Sequence, residues 1–168
     1  MGMKIVVTGE IGCGKSTAVR RAMDALNWRN PAGFFTRREP DALHIGAWRG
    51  GCVPFARSAE RPRAGHPSYE PDLDAFSRFA LPTLATSSGD EPVVMDELGV
   101  LELPSSQLAA AIAALFLRTN PVLAAVQQRA LESWQTIIGR ANLDEVLLVD
   151  VNNRDAMPAR LAALFRAA

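Results

Sequence analysis

The chain has 168 residues, 48% of them hydrophobic, and its 18 basic and 18 acidic side chains cancel at a pI near 6.7. That length suits one domain over residues 1–168, and a neutral balance points away from nucleic acid and membrane surfaces as partners. No apolar run approaches the ~20 residues of a membrane span, the start lacks a signal-peptide pattern, and two cysteines cannot build a disulfide framework, so the expectation is a cytoplasmic protein with free thiols.

Residues 4–8 (KIVVT) form an apolar run that predicts a buried strand. "GEIGCGKS" follows, in which Gly9, Gly14, Lys15 and Ser16 fill the pattern G-x-x-x-x-G-K-[ST]. With 12 Gly in the chain and Lys4 and Lys15 as its only lysines, a chance match arises on the order of once in a thousand such chains. Residues 16–26 then read as a helix, with Ala18, Val19, Ala22 and Leu26 at helical spacing. Strand, glycine loop and helix in that order aim backbone N–H groups and the positive helix end at an anion.

Asn30-Pro31 predicts a turn before a short strand at 33–36. "ALHIGAW" and "GCVPFA", divided by Arg49-Gly50-Gly51, predict a β-hairpin. An arginine-rich loop at 57–71 precedes a helix at 72–85 with Leu73, Phe76, Phe79 and Ala80 inward and a bend at Pro82. "PVVMDE" reads as a strand ending in two carboxylates. Ser105 or Ser106 caps a helix carrying Leu108, Ile112, Leu115 and Phe116. "PVLAAV" predicts a strand, "ALESWQTIIGR" a helix and "EVLLVDV" the last strand. A closing helix has Asp155 as its expected cap, Pro158 in its first turn and Leu161, Leu164 and Phe165 inward. Alternating strands and helices imply a three-layer α/β P-loop domain with a mostly parallel sheet and a small hairpin insertion.

The chemistry follows from the loop. Backbone amides of Gly12, Cys13, Gly14, Lys15, Ser16 and Thr17 cradle phosphates, Gly9 opens the turn, and Gly12 and Gly14 are expected where a Cβ would crowd the ligand. Lys15 reaches the β- and γ-phosphates with an ammonium expected to be exposed while the loop is empty, and the Ser16 hydroxyl meets Mg²⁺. Asp96, at the carboxyl end of its strand, supplies the second magnesium-side oxygen. Glu97 beside it can orient and deprotonate an attacking water, or merely cap a loop or pair with an arginine. Gln127 faces the γ-phosphate if its strand lies between the loop strand and the Asp96 strand; otherwise it is an ordinary polar residue. Arg129 and Arg38, both after strands, lead the arginines that could stabilise transition-state charge. Arg37, Arg57, Arg61 and Arg63 are further candidates. Arg154 stands where a base could stack on its guanidinium without its hydrogen-bonding edge being read. Glu102, His44 and His66 have no spacing partners for a metal site.

"TGEIGCGKST", "GFFTRRE", "VVMDELGVLELPS", "PVLAAVQQR" and "VNNRD", taken together, resemble the small P-loop nucleoside-triphosphatase family, also termed nucleotide kinase-like. "DELGVLEL" is similar to that family's Asp-Glu-Ile-Gly-x-Met-Glu-Leu, whereas Gln127 replaces a His or Thr and Val100-Leu101 replaces a Lys/Pro-Met pair. The resemblance implies a RecA-like fold and magnesium-dependent hydrolysis of nucleoside triphosphates with loose base selectivity. Two alternatives remain open on the residues: a kinase using the arginine-rich loop as a lid over a second substrate, and a slow switch read by a protein partner.

Overall fold

The computed structural model describes residues 2–58, 69–86 and 88–168. In chain order the elements are β1 (Lys4–Gly9), α1 (Lys15–Ala25), β2 (Ala32–Arg38), β3 (Ala42–Ala47), β4 (Cys52–Ser58), β5 (Tyr69–Pro71), α2 (Leu73–Thr83) and β6 (Val93–Leu98). They continue with α3 (Ser106–Phe116), β7 (Val122–Gln127), α4 (Leu131–Ile138), β8 (Glu145–Leu148) and α5 (Met157–Ala167). The strands form one sheet in the order β5-β4-β3-β2-β6-β7-β1-β8. From β2 to β8 every pairing is parallel, and from β2 outward to β5 every pairing is antiparallel.

Alternation along the central strands sorts the core into two layers. In β1, Ile5 and Val7 point to one face and Val6 to the other, as a period of two requires. The first face is covered by Ala18, Val19 and Ala22 of α1 and Leu161 of α5. The second is covered by Phe76 of α2, Leu108 and Ile112 of α3 and Trp134 of α4. Helices on both faces of a sheet with a parallel centre give the three-layer α/β arrangement expected of a P-loop protein. Lys4 starts the buried strand β1 because its ammonium reaches the Asn120 carbonyl while its backbone N–H donates to Asp144 at 2.7 Å.

The expected hairpin is β3–β4, and β3 also pairs with β2, so its antiparallel strands extend the main sheet. Two details differ from the sequence-based expectation. The loop expected at 57–71 contributes Arg57 and Ser58 to β4 and 69–71 to β5, which pair with each other. Its remaining residues, among them Arg61, Arg63 and His66, lie outside the described ones. Asp155 does not cap α5: the helix starts two residues later, after Ala156, without a side-chain cap. The caps on α2 and α3 are side-chain ones, Asp72 accepting from Ala75 N–H at 2.8 Å and Ser105 from Leu108 N–H at 3.3 Å.

β7 lies between β6 and β1. The condition for Gln127 is therefore met, since its strand separates the loop strand from the Asp96 strand and all three end on the same edge of the sheet.

Candidate active site

The loop leaves β1 at Gly9 and turns directly into α1 at Lys15, with Gly14 in the left-handed conformation at φ 113°. No side chain caps α1 and no acid sits in its first turn, so its leading N–H groups and positive dipole end are free for an anion. Gly14 is required by its backbone angle, and a Cβ there would come 3.3 Å from Cδ of the Arg154 side chain, which would have to shift. Gly12 needs glycine for its backbone at φ 78°, and a Cβ there would meet no protein atom within 4 Å. Cys13 is buried and Thr17 exposed on the first turn.

Lys15 is not exposed in the empty loop. It is only 5% exposed, and its ammonium donates to the carbonyls of Gly9 at 2.9 Å and Glu10 at 3.0 Å. Its third neighbour is Glu97, with Nζ 3.5 Å from Oε2. The positive charge is thus held beneath the loop before any ligand arrives.

Asp96 follows Val94 on the face of β6 toward α1, and Ser16 Oγ donates to its Oδ1 at 2.9 Å. Its Oδ2 is buried with no hydrogen-bond partner. Burial is the main reason the carboxyl is pushed up to about 6, with Glu97 adding to the shift and the Ser16 hydroxyl opposing it. A hydroxyl oxygen beside a carboxylate with an orphaned oxygen is the all-oxygen donor set that suits a hard divalent cation such as Mg²⁺.

Glu97 takes its position from an irregularity in β6. Asp96 pairs with Ala125 and Leu98 with Val126, so Glu97 is the extra residue of a bulge. Bulges re-aim a side chain next to a site while the strand continues, and here Leu98 returns fully buried to the core. The Glu97 carboxylate accepts from Gln127 Nε2 at 3.0 Å on one oxygen and faces Lys15 with the other. Arg129 Nε in turn donates to Gln127 Oε1 at 3.4 Å. Gly99 packs against this amide closely enough that a Cβ would lie 2.7 Å from Gln127 Cδ.

Of the sequence candidates, Lys15, Glu97 and Gln127 form one connected set and Ser16 and Asp96 another, the two meeting where Lys15 adjoins Ser16 and Asp96 adjoins Glu97 in the chain. The stem of Arg154 lies across Gly14. Arg38 places its guanidinium 5.7 Å from the Tyr69 ring centroid, while Arg37 pairs with Glu39 at 2.9 Å on the surface and Arg57 is exposed on β4.

Sequence reasoning named Glu102 but gave it no role. It is 4% exposed, and its Oε2 accepts from the Gly99 N–H at 2.8 Å. Burial pushes its carboxyl up to about 7, with Glu97 raising it further and backbone hydrogen bonds and Arg129 opposing. The available signal was a lone carboxylate in "VLELP", flanked by Leu101 and Leu103.

A model of the NTPase family matches residues 4–162. The nucleoside-triphosphatase THEP1 of Methanosarcina barkeri is 28% identical over 98% of both chains, and the cancer-related nucleoside-triphosphatase homolog of Mus musculus is 28% identical over 67% of this chain and 68% of its own. The crystal structure of THEP1 from the hyperthermophile Aquifex aeolicus superposes with a TM-score of 0.80 over 97% of this chain and 99% of that one, at 24% identity, a likeness of fold. With nearly its whole length matched, this chain belongs to the NTPase family.

Proposed function

We propose that the protein hydrolyses nucleoside triphosphates to nucleoside diphosphate and phosphate with Mg²⁺. The observation that carries this reading is Glu97: a bulge sets its carboxylate between the Lys15 ammonium and the Gln127 amide, at the loop that would hold the terminal phosphates. A protein that only retained a nucleotide would not need a proton acceptor at that point.

In this reading the triphosphate takes the N–H groups of the loop, and the Lys15 ammonium exchanges its contacts with the Gly9 and Glu10 carbonyls for β- and γ-oxygens. Ser16 and Asp96 would hold Mg²⁺, which neutralises charge on the phosphates when bound. Water attacks the γ-phosphorus from the side opposite the bridging oxygen and passes its proton to Glu97. Gln127 orients that carboxylate and the water. Arg154, lying over Gly14, offers a flat cation to the base, which accounts for loose base selectivity. The named activity of the relatives supports the same chemistry. Among the described residues, no helix is long and apolar enough to cross a membrane, and the two cysteines are free, which supports a reducing, cytoplasmic setting.

The test is phosphate release from ATP, GTP, CTP and UTP with Mg²⁺ and no acceptor, for wild type and Glu97→Gln. The variant should lose roughly 10²–10⁴ in kcat, the range for a positioned acid or base, with triphosphate affinity held or improved. Hydrolysis by Glu97→Gln within threefold of wild type would exclude the general base. Release by wild type only after an acceptor is added would make the protein a kinase instead.

A further inference from the structure

A cavity of about 230 Å³ opens beside this site. Ser16, Glu97 and Gln127 line it toward the phosphate loop, and Arg38, Tyr69 and Arg129 line it toward the antiparallel extension. Arg37, paired with Glu39, also lines it, and Glu97 and Glu102 add two carboxyl groups. Arg38 rests on the Tyr69 ring, and Arg129 makes one long contact to the Gln127 amide. Among the described residues neither forms an ion pair, although Arg37 and Arg49 do. A guanidinium presents a fork of N–H donors matched to phosphate or carboxylate oxygens, and among the described residues these two have no ion-paired anion, Arg129 acting on the Glu102 carboxyl only at longer range.

Glu102 faces the same cavity. It is 4% exposed, and one of its oxygens is committed to the Gly99 N–H. Because burial holds its proton up to about pH 7, the other oxygen can serve a phosphate as a neutral donor rather than repel it. The volume leaves room for a phosphate and a small substituent.

The direction of the reaction leads to the same place. If hydrolysis runs as proposed above, water enters on the Glu97 and Gln127 side of the γ-phosphorus, opposite the leaving group. In-line displacement inverts the phosphoryl group toward the entering oxygen, so the product phosphate moves toward the mouth of this cavity.

We propose that the cavity is a second phosphate-group site, separate from the loop, with Arg38 and Arg129 as its donors. It takes inorganic phosphate leaving the reaction, or the phosphate of a small phosphomonoester. This rests on the reading that the nucleotide phosphates occupy the loop, but its test involves no turnover, so a chain that failed to hydrolyse would still report on the cavity.

The test is isothermal titration of inorganic phosphate into the protein saturated with Mg²⁺ and ADP, so that the loop is filled. Wild type should bind one phosphate. Arg38→Ala and Arg129→Ala should each weaken it at least about tenfold, the loss of one hydrogen bond to a charged group, and Arg38→Lys should weaken it less. Two substitutions guard against a variant that misfolds, since circular dichroism will show which remains native. Replacing ADP by a non-hydrolysable triphosphate, which fills the γ-position of the loop as well, should keep phosphate affinity within threefold. Affinity lost with that triphosphate and unchanged in both arginine variants would place the ion in the loop and overturn the proposal, as would wild-type binding weaker than about 10 mM. Glycerol 3-phosphate separates the sources: displacement of phosphate at equal or better affinity assigns the site to a phosphomonoester, and its failure to compete assigns it to the released product.

Discussion

Replacing Glu102 by Gln should make the ligand-free protein more stable at pH 8 and leave it nearly unchanged toward pH 4. The carboxyl titrates from an ordinary value of 4.5 in the unfolded chain to about 7 in the fold, chiefly through burial. A native pKa above the unfolded one means that, between those values, the native state holds a proton the unfolded state has released. Stability therefore falls as pH rises across that window, and the full penalty applies above it. At ~1.36 kcal/mol per unit the penalty is about 3 kcal/mol. Gln keeps the volume and a carbonyl oxygen to accept from the Gly99 N–H, which donates to Glu102 Oε2 at 2.8 Å, while removing the charge. The gain at pH 8 should thus approach ~3 kcal/mol, or roughly 6–12 °C in Tm for a chain of this size. Urea unfolding of both proteins at pH 5, 6, 7 and 8, read as the midpoint at constant m-value, measures it. A difference independent of pH, or a variant less stable than wild type at pH 8, would show that Glu102 is ionised and compensated in the fold.

Lys15→Ala should abolish triphosphate turnover and binding while circular dichroism stays native, because the lost ammonium contacts only the Gly9 and Glu10 carbonyls and Glu97 when the loop is empty; wild-type turnover in the folded variant would remove the loop from the chemistry. Gly99→Ala should push the Gln127 amide off Glu97, since the new Cβ would lie 2.7 Å from Gln127 Nε2. The loss of one hydrogen bond to a charged group then predicts about a tenfold fall in kcat, and an unchanged kcat would mean that the amide does not orient the carboxylate. Arg154→Ala should raise KM for all four bases alike with little change in kcat, as expected for contacts made equally in ground and transition states. Steady-state kinetics showing a large kcat loss at constant KM would move Arg154 into catalysis.

The local pieces of this protein are legible in its sequence. The phosphate loop is written in consecutive residues because its requirements are local: a strand that buries every residue of 4–9, glycines at positive φ, and a helix that begins at the lysine. Asp96 is legible for the same reason, as the carboxylate closing an apolar strand, and so are the core stripes of α3 and α5. Tertiary structure decided the rest. Periodicity identifies strands but not their neighbours, so only the placement of β7 between β6 and β1 brings Gln127 to Glu97, 30 residues away in sequence. Likewise β3 could have paired with β4 alone, and its second edge joined β2 because an unpaired strand leaves backbone groups unsatisfied. The bulge that turns out Glu97 is a mismatch between two strands and has no signature in either one. Glu102 shows the limit most plainly: the chain supplies a carboxylate among leucines, but the ionisation of that carboxylate depends on how much water the surrounding elements exclude, and no stretch of sequence contains all of them.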